Sequence, residues 1–261
     1  MTSNQPAHRA DEFSVIKNTW TDDQRRIVWT LISKCRIGLH VELSPIIATA
    51  FVILQNYFRT NTECPYRLFY LMVAALFTSC KANKCFRPIQ MVYDQLAKIC
   101  LSAPSNMVRS LVGPEIQQTG GPVPPEQLQI ITQAELDLLK AIDFNVNFEL
   151  PFTHFEKWKS NIQATVPNDL FVKICNGVIV DICLVICSKS YLDLPPEVAA
   201  AAATKESIGE ENLSPETMQW IDEVNAKYGS EVFELAVQTI TMEKQKTFQR
   251  RPAPPPKQAS A

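Results

Sequence analysis

The sequence predicts an all-α protein built as a tandem pair of five-helix units. Three observations carry that expectation. Glycine is scarce, seven residues in 261, against about 7% in an average protein, which suits a chain made mostly of helices. Helix-start signals recur along both halves. Each half also holds one segment that is apolar or small on every side, the mark of a helix enclosed by its neighbours.

An N-terminal extension is expected over 1–19 and the first unit over 20–148. Thr21-Asp22-Asp23-Gln24 is a capping box, in which the Thr and Gln side chains each accept from the other's backbone N–H. It opens an amphipathic segment reaching about Gly38. Ser44-Pro45 reads as an N-cap followed by proline at the first helical position. The helix it opens puts Ile47, Ala50, Phe51, Leu54 and Phe58 on one face at the 3.6-residue period. From Tyr66 to about Lys81 runs the greasiest stretch, apolar all round between Leu68 and Phe77, so it belongs at the centre of the unit.

A fourth helix follows Pro88. The segment 103–125, rich in proline, glycine and small polar residues and holding Gly113, Gly120 and Gly121, is expected as a loop-like insert. The fifth helix is expected from about Glu126 to Asp143, with Leu128, Ile131, Leu138 and Ile142 as its apolar stripe.

The second unit, 149–247, repeats the plan in weaker form. "HFEKWKSNI" is short and amphipathic, and "DLFVKICNGVIVDICLVIC" is long and apolar. "PPEVAAAAATKESI" starts on proline and is alanine-rich, as suits a central helix approached closely by others. "SPETMQWIDEVNAKYG" and "SEVFELAVQTITMEKQK" complete the set. The Pro-rich tail over 248–261, with "RRPAPPPKQASA", cannot form a core and is expected to be disordered or polyproline-like.

Several chemistries are set aside by composition. A net charge of −2 offers no electrostatic grip on nucleic acid or an anionic membrane. The glycines form no phosphate-cradling loop. None of the eight cysteines stands in a C-x-x-C, and His8, His40 and His154 flank no cysteine at finger-like spacing, so no metal site is expected. No nucleophile elbow, H-E-x-x-H or paired-carboxylate signature is present. No cofactor, catalytic residue or small-molecule ligand is therefore expected. The opening residues "MTSNQPAHRADEF" hold no apolar signal region, which favours a reducing compartment with buried thiols. The run around residue 70 is too short for a membrane span.

Two charges sit where apolar residues are wanted. Lys81 falls at helical spacing from Ala74 and Phe77 on an otherwise apolar face. It is read either as a complement to the helix dipole or as a contact for a partner. Glu135 interrupts the stripe of the fifth helix. As part of Thr132-Gln133-Ala134-Glu135 it has the form of a capping box, a role that fails if the helix starts near Glu126. A charge in an apolar stripe is costly unless it is paired.

"YLMVAALFTSCK", followed by "AELDLLKAIDFNVNFELPFTHF", resembles the cyclin box, with closest similarity to the transcription-associated cyclins of types C, K, L and T. In that family the third helix ends on a lysine, and the fifth carries E-x-x-x-L-x-x-x-x-F ahead of a Pro-aromatic pair. The matching positions are Lys81, Glu135, Leu139, Phe144 and Pro151-Phe152, and the similarity runs over roughly 20–245. The resemblance implies a regulatory subunit, nuclear or shared between nucleus and cytoplasm, not an enzyme, that forms a heterodimer with a cyclin-dependent protein kinase. Lys81 and Glu135 would contact the kinase's mobile helix, with Phe77, Ala82, Asn83, Leu139 and Val146 around them. Docking would push that helix inward, completing the kinase's own lysine–glutamate pair and ordering its activation loop.

The chain departs from the family where acidic residues usually follow the lysine, having Asn83 and Lys84, and again at Asn145. Three lost negative charges imply a diverged kinase or weaker activation. "QRRIVWTL" does not match the substrate-docking motif of cell-cycle cyclins, so no such groove is expected. Two other readings stay open: a double fold like that of transcription factor IIB, touching DNA or polymerase, and a kinase-free scaffold.

Overall fold

The computed structural model describes residues 16–17, 20–103, 108, 116, 120–209 and 214–249. It divides into two units, 1–148 and 149–261, each with five helices among the described residues. The expectations for the extension before Ile16 and for the tail beyond Gln249 fall outside the described residues.

In the first unit, α1 (Asp22–Leu39) opens on the capping box the sequence announces. The Thr21 N–H donates to Gln24 Oε1 at 3.0 Å, and the Gln24 N–H donates to Thr21 Oγ1 at 3.2 Å. A kinked entry over Leu43–Ile47, where Ser44 is still extended, leads into α2 (Ala48–Thr60). Then come α3 (Leu68–Ala82), α4 (Ile89–Ser102) and α5 (Pro125–Ala141). A two-residue antiparallel pairing of β1 (Ile16–Lys17) with β2 (Glu63–Cys64) ties the start of the described chain down.

Helix α3 touches each of the other four helices. Every residue from Leu68 to Leu76 is buried, with Thr78, Ser79 and Cys80 beyond them. Burying each large side chain there contributes about 1.5–3 kcal/mol. The Ser79 hydroxyl donates to Ile46 O at 2.6 Å, which fixes the C-terminal half of α3 against the entry to α2.

One expectation about the apolar stripe is corrected. Leu128 does not join the apolar stripe of α5 and is 39% exposed, whereas Ala134 is buried with Ile131 and Leu138. It lies one turn from the start of α5, at the margin of the surface the unit covers. In the insert, Val108 is helical and both Val108 and Ile116 are buried, so these two positions feed the core. Its far end is fastened to α4, where Gln90 donates to Gly121 O at 2.9 Å and accepts from the Val123 N–H at 2.8 Å.

Three helices of this unit end in the same way without using glycine. In each, an N–H bonds back to the carbonyl five residues earlier: Val41 to Arg36 at 3.1 Å, Cys85 to Cys80 at 2.9 Å and Phe144 to Leu139 at 2.8 Å. The residue before each donor, His40, Lys84 or Asp143, is left-handed with φ of 50°, 55° and 49°. This is the Schellman termination, normally built on glycine. Arg87 reinforces the first of these ends, donating to Leu39 O at 2.6 Å and His40 O at 2.9 Å. A left-handed residue with a Cβ is strained, so His40→Gly is expected to stabilise the unit by about 1 kcal/mol. A raised melting temperature would show it; a lowered one would mean that the His40 side chain contributes more than its backbone costs.

In the second unit, α6 (Pro151–Thr165), α7 (Asn168–Cys187), α9 (Pro215–Tyr228) and α10 (Ser230–Gln249) surround α8 (Pro196–Ile208). Ala199–Ala203 are all fully buried. The Ser214 Oγ caps α9 by accepting from the Thr217 N–H at 3.1 Å. Here glycine does end helices: Gly209 follows α8 and Gly229 follows α9, at φ of 74° and 91°. By length and composition α7 could cross a membrane. In the structure it packs against α6, α8 and α10 and carries the buried Asp181, which accepts from Lys244 and from Ser207, each at 2.8 Å.

Candidate functional site

The last turn of α3 and the second half of α5 lie side by side. Lys81 Nζ stands 2.5 Å from Glu135 Oε1, and the Thr78 hydroxyl donates to the same oxygen at 2.9 Å. The ammonium also lies 4.4 Å from the centre of the Phe77 ring, close enough for a cation–π attraction. The Lys81 side chain is 42% exposed and that of Glu135 is 14% exposed. The misplaced charge of α5 is thus paired. Its capping role is excluded, because Thr132 lies in mid-helix with its hydroxyl donating to Leu128 O at 2.9 Å.

Of the expected residues, Lys81, Glu135 and Phe77 are in one cluster. Leu139, one turn beyond Glu135 on α5, is half-buried, and its carbonyl is the acceptor that ends the helix. Ala82 is half-buried beside Lys81. Asn83 closes α3, its amide donating to Ser79 O at 2.9 Å. Val146 is half-buried past the turn that follows α5. In that turn Asn145 Oδ1 accepts from the Asn147 N–H at 3.1 Å. Exposed apolar side chains border the same segments: Leu136 on α5, Phe86 after α3 and Phe144 after α5.

Two supports escaped the sequence reading. Thr78 sits three residues before Lys81 on the same helix face, a spacing that could have pointed to it. Tyr66, just before α3, donates its hydroxyl to Asp137 of α5, a link between positions too far apart in the chain for any local signal. Asp137 also accepts from Lys140 at 3.1 Å and Gln133 at 3.3 Å. Partial burial pushes its carboxyl up, but the bonds from Tyr66, Lys140 and Gln133 outweigh that and hold it below its ordinary value.

A depressed carboxylate stabilises the fold at neutral pH, and that contribution disappears as the pH falls through the folded value. Tyr66→Phe is therefore expected to move the Asp137 titration upward, so that acid removes a smaller part of the first unit's stability and that loss is complete at a higher pH. NMR titration of the Asp137 carboxyl checks this; an unmoved value would mean that the Tyr66 hydrogen bond contributes nothing there.

Among the described residues, no group of three or more His, Cys, Asp or Glu side chains could hold a metal ion. The cluster presents one half-exposed cation, one nearly covered anion and an apolar border.

Solved structures resemble the chain over most of its length. A viral cyclin from herpesvirus saimiri superposes with a TM-score of 0.59 at 14% identity, covering 87% of this chain and 87% of that one. The fold is the cyclin fold. A chain in the structure of the CAK complex from Chaetomium thermophilum bound to ATP-gamma-S matches with a TM-score of 0.52 at 17% identity, over 88% of this chain and 64% of that one. No family model matches the chain, and no curated protein matches it in sequence. At such identities it is the arrangement of helices that is shared. In this cyclin fold, α3 and α8 are the enclosed helices of the two units, and the Lys81–Glu135 pair joins α3 to α5.

Proposed function

We propose that the chain is a regulatory subunit that binds and activates a cyclin-dependent protein kinase of the transcription-associated kind, acting in the nucleus. The observation that carries this reading is the Lys81–Glu135 pair, set on adjoining helices of a cyclin fold. An exposed ion pair is worth only about 0–1 kcal/mol to a free protein. The same charges, covered by a partner, become costly to remove.

The chain would bring no catalytic group to phosphoryl transfer. Its part is to bind one state of the kinase better than the other, and so to shift the population toward the state with its mobile helix turned inward. Lys81 and Glu135 offer a donor and an acceptor to that helix and the loop before it, while Phe77, Leu139 and Val146 supply apolar area. Asn83, Lys84 and Asn145, which carry none of the family's usual negative charge, suit a kinase whose facing surface is less basic than is common for the family.

Affinity purification of the tagged chain from its native cells tests the reading. A protein kinase recovered in stoichiometric amount supports it. Recovery without any kinase, with DNA retained and released steeply by salt, would replace it with the nucleic-acid reading.

A further inference from the structure

The segment that ends α3, Cys80-Lys81-Ala82-Asn83-Lys84-Cys85, places its two cysteines at the positions of a Schellman termination whose side chains habitually touch. The Cys85 N–H donates to Cys80 O at 2.9 Å, the Lys84 N–H donates to Lys81 O at 3.2 Å, and Lys84 is left-handed between them. With standard backbone dimensions, that first bond keeps the two Cα atoms within about 6.8 Å. Bends at the carbonyl and amide shorten the distance further. Disulfides span Cα separations of about 4.4–6.8 Å.

Cys85 also acts on the Cys80 thiol. Burial pushes Cys80 up to about 11, and the neighbouring Cys85 adds to the rise, while Arg87 offsets part of it. Access differs between the two: Cys80 is fully buried, whereas Cys85 is half-buried. Cys35, whose thiol the neighbouring Cys100 also raises, is buried together with Cys100, so no oxidant reaches either without opening the fold.

We propose that Cys80 and Cys85 form a reversible disulfide site, written by a low-molecular-weight disulfide such as oxidised glutathione. The Cys85 thiolate attacks one sulfur of that disulfide, forming a mixed disulfide and releasing one glutathione thiolate. Cys80, once deprotonated, attacks Cys85 Sγ, closing the Cys80–Cys85 bond and expelling the second thiolate. The two cysteine protons end on the two glutathiones, so two thiols are oxidised and one disulfide is reduced. In a reducing compartment the bond is transient. When formed, it encloses Lys81, Ala82, Asn83 and Lys84 in a ring and locks the strained left-handed turn.

The experiment uses the folded full-length chain, equilibrated over a range of oxidised to reduced glutathione, then quenched with acid and alkylated. Trypsin cleaves after Lys81 and Lys84, so the peptides holding Cys80 and Cys85 stay joined only through the new bond. The expected result is that joined pair, two hydrogens lighter than the separate thiols, with Cys35 and Cys100 alkylated only after denaturation. Amide exchange at Lys84 and Cys85 should slow in the oxidised form. Cys85→Ser should lose the cross-link with helicity and melting unchanged. Closure from the preformed Cys85–glutathione disulfide should quicken about tenfold per pH unit between roughly 7 and 9, because the Cys80 thiol must ionise first. If Cys85 stops at the mixed disulfide across the whole range, or Cys80 is recovered joined to another cysteine, the site does not exist. Closure at a rate indifferent to pH would remove Cys80 as the attacking thiol.

Discussion

If the proposed kinase is the partner, Lys81→Glu is expected to abolish its binding while leaving helicity and melting nearly unchanged. On the free chain Lys81 is the more exposed member of its pair, and reversing it disturbs an interaction worth about 0–1 kcal/mol. Glu135 keeps the hydrogen bond from Thr78, so it is not abandoned, and the new carboxylate can turn outward into water. Covered by a partner, neither charge has that outlet. Truncating one side of a desolvated, hydrogen-bonded charge pair costs about 2–5 kcal/mol, which is at least about thirtyfold in Kd. Lys81→Ala serves as the milder companion, removing the ammonium without adding a charge beside Glu135. Binding is read by titration calorimetry against the co-purified kinase, and stability by thermal denaturation of the free chain. A variant that binds as tightly as the parent would place the docking surface elsewhere; one that binds weakly because it has unfolded would show the pair to be structural.

How much of this could be read in the sequence depended on how local the cause was. The capping box at Thr21 was legible because donor and acceptor lie three residues apart. Helix α3 was legible because only an enclosed helix can be apolar on every side. The glycine-free helix ends were not recognised, although their signature was present as apolar pairs five residues apart, Cys80–Cys85 and Leu139–Phe144. The E-x-x-x-L-x-x-x-x-F spacing contains that second pair, so part of the motif encodes the end of α5. Val108 and Ile116 were missed because proline, glycine and polar neighbours hide any period around them. The contact of Lys81 with Glu135 could not come from periodicity at all. Each helix showed a charge out of place, and only the resemblance implied a shared surface.

The two enclosed helices solve one packing problem with opposite volumes, and paired substitutions expose the difference. In α3, Phe69 is fully buried, with its ring edge-on to Tyr93 at 5.1 Å between centres. Phe69→Ala removes the whole ring from a fully buried place, at an expected cost of about 3–5 kcal/mol. For a unit of this size that lowers melting by roughly 6–20 °C. In α8 the corresponding run is Ala199–Ala203, fully buried against four helices. There the damaging change is expected to be the opposite one, because added atoms must go into a run enclosed by its neighbours. Ala201→Leu is expected to cost about 1–3 kcal/mol by forcing neighbours off their rotamers. Ala201→Gly should cost about 1 kcal/mol through helix propensity. Chemical denaturation of each variant checks the pattern, and loss of stability in both directions from alanine is its signature. If Ala201→Leu were neutral or stabilising, α8 would have free volume beside it, and its alanines would reflect helix propensity instead of the close approach of its neighbours.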